Sequence, residues 1–73
     1  MKHETVDILK QAVKNQIIAG KSIQTFTLPD LDDANVLEHD GNIAMYITRG
    51  SGEKEYQLTK AGFAKIMDEL GTI

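Results

Sequence analysis

The chain of 73 residues has no cysteine and no tryptophan, a single proline, and 5% aromatic residues. Without cysteine there can be no disulfide, no thiolate metal site and no cysteine nucleophile. Two histidines, His3 and His39, are too few to build a histidine-based zinc site. No apolar run approaches the ~20 residues needed to cross a bilayer. The opening segment, MKHETVDILK, lacks the apolar centre of a signal peptide. The expectation is a cytoplasmic protein with no membrane contact.

The composition itself is ordinary for a globular protein, 41% apolar with a net charge of −3. One small domain, residues 1–73, is expected. A core of this size leaves only ~3–5 kcal/mol of stability, so small domains commonly add disulfides, metal or oligomerisation. Self-association is the support this composition leaves open.

Charge is unevenly placed. Residues 1–21 set Lys2, Lys10, Lys14 and Lys21 against Glu4 and Asp7. Residues 22–41 hold Asp30, Asp32, Asp33, Glu38 and Asp40 with no lysine or arginine. The remainder is balanced. Phosphate backbones are drawn to clustered basic side chains and repelled by carboxylates, so the middle third disfavours a nucleic acid.

TVDILKQAVKNQIIAG (5–20) reads as a helix with Thr5 as N-cap and Gly20 as stop. Val6, Leu9, Val13 and Ile17 form one stripe, which Ile8, Ala12 and Ala19 widen to about half the circumference. A helix packed on one neighbour needs only about 100°. The extra width implies a second contact, so Ile8, Ala12 and Ala19 are the candidate dimer surface. Ile18 stands alone on the polar face. KSIQTFTL (21–28) alternates as a short strand, ended by Pro29. Residues 29–41 fit either a short acidic helix or a strand entering an Asp40-Gly41 turn. The helix is preferred.

NIAMYITRGSGEKEYQL (42–58) reads as a β-hairpin. A two-residue turn at Ser51-Gly52 would set Ile47 opposite Tyr56 and Met45 opposite Leu58, an apolar face. It would also set Tyr46 against Gln57, Thr48 against Glu55, and Arg49 against Lys54 at the tip. Tyr46, Thr48, Arg49, Lys54 and Gln57 are the candidate binding surface. Tyr46 is either an interface anchor or a residue at the edge of the core. The like-charged Arg49–Lys54 pair either meets an acidic partner or splays into solvent. Thr59 then caps a last helix, KAGFAKIMDELG, that stops at Gly71 with Phe63, Ile66, Met67 and Leu70 as its core stripe. Gly62 costs ~1 kcal/mol there relative to alanine, and its missing side chain would admit another backbone.

DLDDANVLEHDG (30–41) places aspartates at 30, 32 and 33, yet a calcium loop also needs an oxygen ligand at its fifth position, glycine at its sixth and glutamate at its twelfth. Ala34, Asn35 and Gly41 stand there instead. Glu38, His39 and Asp40 are adjacent, lack a nucleophile or phosphate loop, and suggest no catalysis. Neither enzyme activity, metal nor cofactor is expected.

The exit of the hairpin, EYQLTKAG (55–62), resembles the wing exit of winged-helix transcriptional regulators, through Tyr56, Leu58, Thr59 and Gly62 in a Tyr-x-Leu-Thr-x-x-Gly pattern. The resemblance covers about 25 to 30 residues and implies a hairpin feeding a helix. A full winged-helix domain has two helices between first strand and wing, the second entering the major groove. The 13 residues between Leu28 and Asn42 hold one short helix.

The expected fold is α+β, ordered helix, strand, short helix, hairpin, helix, a truncated winged-helix-like arrangement. The expected function is a small interaction or regulatory protein forming a homodimer through its first helix. The alternative is a DNA-binding regulator using Lys10, Lys14, Arg49, Lys54 and Lys60 on phosphates.

Overall fold

Three helices surround a two-stranded antiparallel sheet in the computed structural model, which describes residues 1–70, with Leu70 contributing backbone alone. The order is α1 (His3–Ala19), α2 (Leu31–His39), β1 (Ile43–Thr48), β2 (Lys54–Leu58) and α3 (Lys60–Leu70). This is the small α+β domain expected. The Leu70 side chain and the stop at Gly71 lie outside the described residues.

Helix α1 begins two residues before Thr5, with Lys2 at the N-cap position and no side-chain cap bond. Thr5 does different work. It is fully buried, and its hydroxyl donates to Asp33 Oδ2 at 2.8 Å. Gly20 ends the helix with φ +64°, a left-handed conformation glycine adopts without a Cβ penalty.

The acidic segment forms a helix over Leu31–His39. Asp30 caps α2 by accepting from the Asp33 N–H at 2.8 Å, and acids in the first turn suit the positive end of the helix dipole. The acidic start is also tied to α1. The Lys2 ammonium lies 2.7 Å from Asp30 Oδ2, and the Lys2 backbone N–H donates to Asp33 Oδ2 at 2.9 Å.

The expected strand at 21–28 pairs at one point only. Phe26 and Tyr56 exchange backbone hydrogen bonds of 2.9 and 2.8 Å. Strand β2 therefore lies between Phe26 and β1, and β1 forms the edge. Leu9, Val13, Leu28, Ala34, Leu37, Ile43, Tyr56 and Ile66 make the core, with Ile8, Phe26, Leu58 and Phe63 packed around it.

Thr59 is the cap the sequence implies, accepting from the Gly62 N–H at 3.0 Å and donating to the Gly41 carbonyl at 2.6 Å. Gly62 meets a backbone, as its missing side chain allows. A Cβ there would overlap the Asn42 carbonyl oxygen and sit 2.6 Å from its carbon. Asn42 also donates its N–H to Leu37 and accepts from Thr59 N–H. The start of α3 is thus pressed against the junction between α2 and β1.

Candidate interaction surface

The hairpin register differs from the expected one. Ile43 pairs with Leu58, Ala44 with Gln57 and Met45 with Tyr56, and after an irregularity at Tyr46, Ile47 pairs with Glu55 and Thr48 with Lys54. The turn is longer than two residues. Arg49 N–H donates to Glu53 O at 2.8 Å, Gly52 N–H donates to Arg49 O at 2.8 Å, and Gly52 takes φ +88°. A longer turn shifts the pairing toward the start of β1, and the bulge at Tyr46 absorbs the extra residue.

Two expectations change with the register. Ile47 does not face Tyr56, and the sheet face expected to bury Met45 and Ile47 leaves them 46% and 43% exposed. Only Ile43 at the start of β1 reaches the core. Arg49 does not oppose Lys54, since Thr48 does. The Arg49 guanidinium instead pairs with Glu55, whose carboxylate also accepts from the Thr25 hydroxyl at 2.9 Å. The Thr25 hydrogen bond, then the Arg49 bond and charge, hold the Glu55 carboxyl below its ordinary range.

Of the five candidate binding residues only Thr48 and Lys54 form a cross-strand pair. Tyr46 sits in the bulge and is 51% exposed, Thr48 and Lys54 oppose each other, Gln57 is half-buried beside Ala44, and Arg49 folds onto Glu55. The candidate dimer residues are placed inward. Ala12 is buried, Ile8 packs on the core, and Ala19 is half-buried. Ile17, within the same stripe, stays 48% exposed.

Besides Met1, Leu31, Val36 and Met67, the exposed large apolar side chains among the described residues include two groups close in sequence. One is Met45, Tyr46 and Ile47, consecutive along β1. The other is Ile17, Ile18 and Ile23 around the end of α1. Ile17 and Ile23 line an open cleft of about 560 Å³ with Leu58, Phe63, Lys21 and Lys60. Periodicity placed Ile18 and Tyr46 on polar faces, and both are exposed, whereas it assigned Ile17, Met45 and Ile47 to apolar faces. Met45 and Ile47 alternate as core residues do, and only the turn length reveals that they are not.

Beneath the hairpin, Tyr56 is buried, and burial, then the charge of Glu38, pushes its phenol above the ordinary value. Asn42 is buried with its Nδ2 lacking a hydrogen-bond partner, and it lines a recess of about 120 Å³ with Val36, Leu37 and Ile66. Among the described residues no three His, Asp or Glu side chains are grouped as metal ligands. None of the helices there is long and apolar enough to cross a membrane. Compared with family models, curated proteins and solved structures, the chain matches none.

Proposed function

We propose that this protein is a small non-enzymatic interaction module of regulatory type that works as a homodimer. The observation that carries this reading is the number of large apolar side chains left exposed, ten among the described residues, on a domain with few core residues to spare. Single exposed apolar residues are normal, and it is their accumulation that favours a surface meeting another molecule. Three of them, Met45, Tyr46 and Ile47, follow one another on β1. Size-exclusion chromatography with light scattering at micromolar concentration should return twice the 8.1 kDa chain mass. A monomer throughout that range would remove the homodimer from the reading.

The DNA-binding alternative depends on the hairpin tip, Arg49 and Lys54, together with the helix lysines Lys10, Lys14 and Lys60. Arg49 is engaged by Glu55, and α2, the helix next before the hairpin, carries Asp32 and Asp33 in its first turn. A mobility-shift assay at low salt, where phosphate contacts are strongest, is expected to show no retardation. A shift abolished by Arg49→Glu with Lys54→Glu would reinstate that alternative.

A further inference from the structure

Strand β1 is an edge. Its partner β2 is bonded on one side to β1 and on the other to Phe26. Among the described residues, no backbone bond other than those to β2 is made by residues 43–48. An edge strand presents a row of unpaired N–H and C=O groups, and proteins usually blunt it with charge, proline or a covering element. The sequence of β1, IAMYIT, holds neither charge nor proline. Its bulge at Tyr46 bends the strand but leaves the side chains on either side half-exposed.

We propose that β1 pairs antiparallel with β1 of a second copy, extending the sheet across a two-fold axis near Met45 and Tyr46. This rests on the homodimer reading above and names its interface. Three observations select a second copy. The strand is uncharged, so two copies bring no like charges together along its length. The ends of the strand carry opposite signs, with Asp40 just before it and Arg49 just after it. Antiparallel pairing keeps the two Arg49 side chains, each paired with Glu55 of its own copy, at opposite ends of the contact, whereas parallel pairing would oppose Arg49 to Arg49. A two-fold contact also closes on itself, consuming the edge in both copies.

The test uses the full chain and two variants, Tyr46→Lys on the edge and Ile18→Lys on α1, where Ile18 is 85% exposed. Sedimentation equilibrium reads the dimer dissociation constant, and circular dichroism confirms folding. Tyr46→Lys sets like charges near the two-fold axis and should weaken the dimer by about tenfold or more, while Ile18→Lys leaves it unchanged. A wild-type monomer overturns both this inference and the homodimer reading. A wild-type dimer that Tyr46→Lys leaves intact overturns the interface alone. If Tyr46→Lys fails to fold, amide hydrogen exchange of the wild type decides. Protection of residues 43–48 should rise with the dimer fraction, and concentration-independent exchange there overturns the interface.

Discussion

Gly62 and Thr5 are the two residues on which the packing turns most sharply. Any side chain at Gly62 meets the Asn42 backbone, which cannot swing aside as a flexible side chain would. Gly62→Ala should therefore destabilise by about 3 kcal/mol, the upper end for overpacking, despite alanine's better helix propensity. Gly50→Ala is the control, because nothing lies within 4 Å of a Cβ there. Urea unfolding of the two variants would check this, and equal midpoints would sink the close-contact account. Gly62 was legible in the sequence, since a glycine near a helix start has to be explained. Thr5 was not. A threonine before an apolar stripe is the usual sign of an N-cap, and only the position of α2 shows that its hydroxyl serves Asp33 across 28 residues. Thr5→Val keeps the shape and leaves Asp33 short of a donor, costing about 1–3 kcal/mol.

For the elements, local chemistry was readable and pairing was not. Thr59 as cap, Gly20 as stop and the acidic start of α2 each follow from contacts within a few residues. Hairpin register depends on turn length, and RGSGE admits more than one turn. A two-residue turn predicts a core role for Met45 and Ile47, while the longer turn observed, bonded from Arg49 to Glu53, leaves them at the surface. Of the wide stripe on α1, Leu9, Ala12 and Val13 are buried while Ile17 is exposed, a split that residue types alone do not announce. Thr59→Ala tests the cap and should lower stability by about 0.5–2 kcal/mol. Melting of α3 ahead of the rest, seen as early loss of amide protection at 60–70, would show that the cap serves the helix alone. Cooperative loss together with residues 41–43 is expected, because the same hydroxyl holds the Gly41 carbonyl.

For the whole molecule, the ties between the start of α1 and α2 give stability a defined pH window. The Lys2 side chain, then the Asp33 backbone N–H, lower the Asp30 pKa below 3.8, and the Lys2 backbone N–H, then the Thr5 hydroxyl, lower that of Asp33. Their contribution is present above the unfolded value and lost as pH falls through the lower folded values. The Lys2 ammonium, hydrogen-bonded to Asp30, is raised from 10.5, so its contribution is present below that value and lost as pH rises through the folded one. Stability should plateau between roughly pH 4 and 10. Lys2→Met should move the acid limb of a urea-midpoint profile to higher pH and leave the slope near neutrality alone. An acid limb identical to wild type would mean that the Lys2–Asp30 pair contributes nothing.

The uncharged β1 edge has a second consequence, in failure rather than in function. A six-residue stretch of high β propensity without charge or proline has the composition of a cross-β segment, able to stack on copies of itself in a fibril. Four of its six residues, Met45 to Thr48, are exposed. In the proposed homodimer, closure of two edges on one another would cap that growth. Dilution below the dimer's dissociation constant, or acid that loosens the Asp30 and Asp33 ties, would uncover the edge and favour thioflavin-positive aggregates. Tyr46→Lys, by placing a charge in the segment, should suppress them even as it dissolves the dimer.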